Sequence, residues 1–332
     1  MTEAPRLAAR VERWPVAGRF VISRGAKTHV DVVVATVSVT GARGRGEATP
    51  IYYHGETAES VQRQLLDMAD AIAGGAGRDE LRALMPRGAA RNALDAALWD
   101  LDARRSGMPV WRLAGLAEPK PLVTAYTISV GDPAKMEEDA RAAAARRHPL
   151  LKLKLAGDGD DLGRVEAVRR GAPDARLTVD ANEAWTDRDI AAEAAALVPC
   201  GVELIEQPVK VGEEHRLEDV RSPIPICADE SCQDRADLPK VIGRFDAINV
   251  KLDKAGGLSE ALALIREAKA AGLKVMLGCM LSTSLGVAPA FLAAQDADWV
   301  DLDGPLLLAR DRPDGFAFEA GRMLNAGARL WG

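Results

Sequence analysis

The chain is 332 residues long, 48% apolar and 28% charged, with a formal net charge of -6. That length can bury a large core as one big α/β barrel or as two domains. The composition excludes a membrane span, since no apolar run of about 18 residues occurs. It also argues against a nucleic-acid partner, which needs a basic face, so a small molecule is the expected ligand.

The opening MTEAPRLAARVERWPV has no apolar core, and neither a signal peptide nor a membrane anchor is expected. HVDVVVATVSVT (29–40) alternates in part like an antiparallel strand, and GARGRGEATP after it reads as turn residues. Helical patterns follow in AESVQRQLLDMADAIA and ARNALDAALWDLDARRSG. Residues 1–115 are therefore expected to form an α+β domain.

From about residue 120 the chain has a period. Strand-like segments LVTAYTIS, LLKLKL, ARLTVDAN, VELIEQP, IPICADES, AINVKLD, LKVMLGCM and WVDLDGP recur, each followed by a helical pattern. Their marked residues Lys154, Asp180, Glu206, Asp229, Lys251, Gly278 and Asp301 are 26, 26, 23, 22, 27 and 23 residues apart. Such a step is the length of one βα unit, and eight strands predict a closed barrel over 116–309. LSEALALIREAKAAG and DIAAEAAALV supply helices, whereas no long helix follows the eighth strand. The tail, 310–332, is too short for a domain and is expected to pack back and complete the first one. The four cysteines, Cys200, Cys227, Cys232 and Cys279, lack CxxC spacing, so reduced thiols and a cytoplasmic location are expected.

In LKLKLAG (151–157), leucines alternate with Lys152 and Lys154. Those lysines point either to solvent or to something that needs two positive charges. In a parallel barrel the chemistry gathers at the C-terminal strand ends. There the predicted strands bring Lys152 and Lys154, then Asp180, Glu206, Asp229, Lys251, and finally Asp301 and Asp303. One Asp closing a strand is commonly just a helix cap, but caps do not require three carboxylates on consecutive strands with lysines on both sides. Oxygen donors suit a hard cation such as Mg²⁺, which keeps positions open for substrate. No histidine competes, since His29, His54, His148 and His215 lie outside the predicted strand ends. If Asp180, Glu206 and Asp229 hold the ion, Lys154 and Lys251 bracket one bound carbon. A carboxylate on the metal has its α-proton acidified, and one lysine removing that proton while the other returns one to the opposite face gives inversion.

At KLK (152–154), VDAN (179–182), IEQP (205–208), ADES (228–231) and NVKLDKAGG (249–257) the sequence resembles the enolase superfamily, muconate-lactonizing subgroup. The resemblance spans essentially the whole chain. It implies a (β/α)7β TIM-like barrel with an N-terminal α+β capping domain and one Mg²⁺ per subunit on Asp180, Glu206 and Asp229. It also implies acid/base roles for Lys154 and Lys251 with Lys152 beside them, and supporting positions for Asn182 and Glu230.

DLDGP at 301–305 resembles the signature of the dipeptide epimerases, in which two strand-eight aspartates bind the substrate's α-ammonium group; here these are Asp301 and Asp303. The match extends to the Ala-Glu branch through ISRGAKTHV, GAARNALDAALWDL, VDANEAW, PICADESC and LGCMLSTS. That branch implies that Arg24 receives the glutamate carboxylate, that Thr127 touches substrate, and that the role lies in murein-peptide metabolism. Homo-oligomers are common in the superfamily. An N-acylamino acid racemase, an o-succinylbenzoate synthase and a cycloisomerase remain alternatives, although none needs an ammonium-binding pair. A non-catalytic peptide-binding barrel is the alternative of another class.

Overall fold

The computed structural model describes residues 4–22 and 25–332. The chain opens with an antiparallel sheet of β1 (Arg6–Ile22), β2 (Gly25–Val39) and β3 (Ala42–Ala48). Helices Ala58–Leu66, Ala69–Ala73, Arg78–Leu84 and Ala89–Ser106 follow. Successive side chains of a strand point to opposite faces, and β2 uses both. Val33, Ala35 and Val37 pack with Leu65, Leu94 and Leu98 of the helices. Val30 and Val32 pack instead with Leu281 and Leu308 of the barrel. Burial on both faces explains why 29–40 alternates only in part.

GARGRGEATP is not a turn. Only its first residues turn the chain, and β3 runs through the rest, pairing Gly44 with Val37 and Gly46 with Ala35. Its glycines are there for close approach. A Cβ on Gly44 would lie 2.1 Å from the Ala97 carbonyl oxygen, and one on Gly46 would lie 2.2 Å from that of Ala93. The sheet can therefore rest directly on helix Ala89–Ser106 only where side chains are missing.

LVTAYTIS is two strands: β4 (Leu122–Val123) and β5 (Tyr126–Ile128). β5 begins a parallel sheet that continues through β6 (Leu150–Lys154), β7 (Arg176–Asp180), β8 (Val202–Glu206), β9 (Ile226–Ala228), β10 (Ala247–Lys251), β11 (Lys274–Gly278) and β12 (Trp299–Asp301). Its ends meet through the Ala125 amide donating to the Val300 carbonyl oxygen at 2.8 Å and the Leu302 amide donating to Thr124 Oγ1 at 2.8 Å. Not every connection is helical as the period implied. Between β8 and β9 stands only a 3₁₀ turn, Glu214–Leu217, and between β9 and β10 only a 3₁₀ turn and the four-residue helix Leu238–Val241. Step length alone does not decide this, since the 23-residue step from Gly278 to Asp301 holds the helix Ser284–Ala293.

After β12 a 3₁₀ turn, Gly304–Leu307, replaces the eighth helix. The tail then forms β13 (Phe318–Glu319) and β14 (Arg322–Met323), and β14 pairs with β4. Trp331 donates from Nε1 to the Ala96 carbonyl oxygen at 2.9 Å, so the chain end also reaches helix Ala89–Ser106.

Candidate active site

Leu204, Cys227, Ala247, Met276 and Trp299 form a small apolar cluster of their own inside the barrel. Two residues further along the same strands stand Glu206, Asp229, Asn249, Gly278 and Asp301. The strand period of two therefore lays a polar ring directly above an apolar plug. All five residues of β6 are buried, Lys152 and Lys154 among them. Leu151 and Leu153 join the main core cluster with the surrounding helices, and the two lysines face the axis.

Lys152 sits at the centre of the ring. Its Nζ lies 2.7 Å from Glu206 Oε2, 2.8 Å from Asp301 Oδ2 and 3.3 Å from Asp180 Oδ2. Burial works against this ammonium, yet Asp301, Glu206 and Asp180 outweigh it and hold its pKa well above the ordinary lysine value. Lys154 donates to Asp180 Oδ2 at 2.5 Å, and Lys251 donates to Asp229 Oδ2 at 2.7 Å. Lys251 is likewise opposed by burial and held high by Asp229 and Glu206.

The three acids are unequal. Burial would raise Asp180, but Lys154 and Lys152 bring it down to about 2. Asp229 is held well below the carboxylate range by Lys251, Lys254 and Lys152 against its burial. Glu206 is pushed up to about 7, by burial first and then by its neighbours Asp180 and Asp229. Fully buried oxygen donors that repel one another on three consecutive strands fit a hard divalent cation in chemistry and charge. Among the described residues no three His, Cys, Asp or Glu side chains already stand as a coordination shell; lysine ammonium groups interleave with the carboxylates instead.

Supporting bonds fix these positions. Asn249 Nδ2 donates to Glu206 Oε1 at 2.7 Å. Gly278 makes room for that amide, since a Cβ there would lie 2.5 Å from Asn249 Oδ1. Gln207 has φ +37 and accepts at Oε1 from the amides of Asp229 and Ser231, at 2.9 and 3.1 Å. Asn182, with φ +43, donates its amide to Asp180 Oδ1 at 2.9 Å and leaves its own buried Oδ1 without a partner. Glu230 is buried and lines the cavity.

Lys254 escaped the sequence reading although it stands inside the NVKLDKAGG motif. It is entirely buried and donates to Asp229 Oδ1 and to the carbonyl oxygens of Asp229, Cys232 and Asn249. Its signal was a second lysine three residues after Lys251, one helical turn on.

Asp301 ends β12, whereas Asp303 lies beyond the strand and begins the 3₁₀ turn. They do not share a strand face as their spacing implied, yet they stand near enough for Asp301 to act on the Asp303 carboxyl. Asp303 is pushed up to about 7 by burial and by Asp301. Its Oδ2 accepts from the Thr127 amide at 2.7 Å, so Thr127 acts on Asp303 through its backbone. Asp301 Oδ1 is buried and has no partner. Arg24 lies outside the described residues.

Lys154, Asp229 and Lys251 of the barrel line a cavity of about 80 Å³, which Phe20, Lys27 and Tyr53 line from the cap. A larger cavity of about 510 Å³ lies between residues 16–21 and the first barrel unit, but none of the acids and lysines of the ring lines it. The chemistry is therefore at the smaller one.

Residues 6–115 match the family model for the mandelate racemase / muconate lactonizing enzyme N-terminal domain, and residues 135–324 match that for the enolase C-terminal domain-like family. The chain is 42% identical over 313 residues to the L-Ala-D/L-Glu epimerase of Escherichia coli strain K12, covering 94% of this chain and 97% of that one. It is 44% identical over 253 residues to an N-acetyl-D-glutamate racemase of Pseudoalteromonas, covering 76% and 79%. Among solved structures it resembles an enolase family member from Agrobacterium tumefaciens with homology to dipeptide epimerases, bound to sodium and L-Ala-L-Glu. The TM-score is 0.95 with 46% identity, over 99% of this chain and 100% of that one. It also resembles the dipeptide epimerase of Enterococcus faecalis complexed with Mg and L-Leu-L-Tyr, with TM-score 0.90 and 28% identity over 98% and 99%. By both halves of its length the chain belongs to the enolase superfamily, in the mandelate racemase / muconate lactonizing enzyme group.

Proposed function

We propose that this protein is a Mg²⁺-dependent dipeptide epimerase that inverts the α-carbon of the C-terminal residue, with Ala-Glu as its substrate type. The observation that carries this is the opposition of Lys154 on β6 and Lys251 on β10, four strands apart in a ring of eight. A binding protein has no use for a base on each face of its ligand.

Asp180, Glu206 and Asp229 would hold Mg²⁺, which would supply positive charge to the substrate carboxylate. The remaining work falls to the chain. A neutral Lys154 accepts the α-proton on one face, and Lys251 as an ammonium donates one on the other; the roles exchange for the opposite enantiomer. Lys152, tied to Asp180, Glu206 and Asp301, stays charged and balances the acids. Asp301 offers its unpartnered Oδ1 to the substrate's α-ammonium, with Asp303 beside it fixed by Thr127. Residues 1–115 with the tail 310–332 serve as the cap that excludes water and selects the side chain, and residues 116–309 carry the chemistry. A cytoplasmic place in murein-peptide turnover follows from that substrate.

The test is deuterium uptake at the α-carbon of L-Ala-L-Glu and L-Ala-D-Glu in deuterated water, with Mg²⁺ and with chelator. Lys154→Ala and Lys251→Ala are each expected to lose epimerisation by roughly 100-fold or more while keeping a native melting profile. Substantial turnover by either variant would refute the two-base assignment. The Pseudoalteromonas relative motivates a second reading, racemisation of N-acetylglutamate, which presents no ammonium to Asp301. Preferential exchange of N-acetylglutamate over Ala-Glu would favour it.

A further inference from the structure

The two lysines proposed as bases are braced differently. The loop after Lys154 is tied within the barrel: the Ala156 and Gly157 amides each donate to Asp161 at 3.0 Å, and Trp185 Nε1 donates to the same carboxylate at 2.9 Å. Lys251 is followed instead by the short helix Leu252–Ala255, which is held from the cap. At its start Asp253 Oδ1 accepts from the Thr49 amide at 3.0 Å and from Asn92 Nδ2 at 2.9 Å. At its end Arg91 donates to the carbonyl oxygens of Ala255 and Gly256, at 2.6 and 3.2 Å. Asp95 then accepts from the amide and hydroxyl of Ser259. Gly257, with φ +121, lets the two segments touch, since a Cβ there would lie 2.5 Å from Asp95 Oδ2.

Asn92 is buried and its own Oδ1 has no partner, so its side chain serves Asp253. Both donors meet one oxygen two residues beyond Lys251, and the residue between, Leu252, is locked in the main core. From this we infer that Asp253 is a positioning residue for Lys251: through Thr49 and Asn92 the cap sets where the β10 base stands, while contacts within the barrel set the β6 base. The inference rests on the two-base epimerase reading above and deepens it. Proton transfer slows steeply when a base is displaced from the proton it takes, so a disturbed brace slows one base and spares the other. Net epimerisation must slow equally in both directions, because the equilibrium constant is unchanged. The asymmetry is therefore read in α-proton exchange of each enantiomer by itself.

The experiment follows deuterium uptake at the α-carbon of L-Ala-L-Glu and of L-Ala-D-Glu by the Mg²⁺-loaded wild type, Lys251→Ala, Asn92→Leu, Asp253→Ala and Asp253→Asn, each checked for a cooperative melting transition. Lys251→Ala marks the enantiomer whose α-proton faces Lys251 as the one that ceases to exchange. In Asn92→Leu, kcat for exchange of that enantiomer is expected to fall roughly 10- to 100-fold with KM near wild type, the other enantiomer staying within about 3-fold. Asp253→Ala is expected to show the same asymmetry, and Asp253→Asn, which keeps an acceptor oxygen, to exchange that enantiomer about 10-fold or more faster than Asp253→Ala. If Asp253→Ala does not fold, Asn92→Leu decides, since it leaves Asp253 bonded to Thr49. Wild-type exchange of both enantiomers in Asn92→Leu, or an equal loss for both, would overturn the inference while leaving the epimerase reading intact. A wild type that exchanges neither enantiomer would overturn both.

Discussion

Lys254 shows how far a single side chain can govern this site without facing the substrate cavity. Its ammonium is entirely buried, and its four acceptors gather the end of β9 and the end of β10 around Asp229. Lys254→Met keeps the length of the stem but removes every donor, leaving buried carbonyl oxygens unsatisfied. We expect Mg²⁺ affinity to fall about 10- to 100-fold, as is usual when a supporting partner of a ligand is lost. Calorimetric titration of Mg²⁺ checks this, and wild-type affinity would show that Asp229 is positioned without Lys254. Most of the acids and lysines of the ring were legible in the sequence because each closes a strand at a regular step. Lys254, Asn249 and Gln207 were not, because they touch neighbouring strands, and the partner of a buried side chain is decided by which strands lie side by side.

At the scale of elements, β3 is the informative case. Its glycines read as turn formers from local chemistry, and they serve instead to let a strand and a helix touch backbone to backbone. Gly46→Ala should therefore destabilise the protein by about 1–3 kcal/mol through overpacking against Ala93, as a lower denaturation midpoint in guanidinium with the slope preserved. An unshifted midpoint would mean that the helix can move away freely. The long barrel helices, by contrast, followed their sequence pattern closely: Leu258–Ala270 and Ile190–Leu197 fall inside the predicted segments. Their buried stripe repeats within one element and needs no knowledge of its neighbours.

For the whole molecule, the seam between the N-terminal layer and the barrel is polar and buried. Asp253 accepts at Oδ1 from the Thr49 amide at 3.0 Å and from Asn92 Nδ2 at 2.9 Å. Arg91 donates to the carbonyl oxygens of Ala255 and Gly256. Arg312 of the tail joins Glu12 of β1, Glu47 of β3 and Thr283 of the barrel. Asp253 is pushed up to about 7 by burial, with Glu56 and Glu47 adding to it. Because its folded pKa exceeds the unfolded value of 3.8, the native state binds more protons between about pH 4 and 7. Stability contributed by this group is thus present at low pH and lost as pH rises through 7. Asp253→Asn should remove that slope: relative to wild type it is expected to be more stable by on the order of 2 kcal/mol at pH 8 than at pH 5. Urea denaturation at the two pH values measures the difference, and parallel behaviour of the two proteins would count against a buried proton at this seam.

The sequence by itself determined the repeat, the barrel it builds and the layer in which charge collects, because strand period and unit length are properties of the chain read along its own axis. Only the tertiary structure decided which ammonium answers which carboxylate and why glycines stand within β3. Those are contacts between segments far apart in sequence, set by the closing of the sheet and by what the cap lays over its mouth.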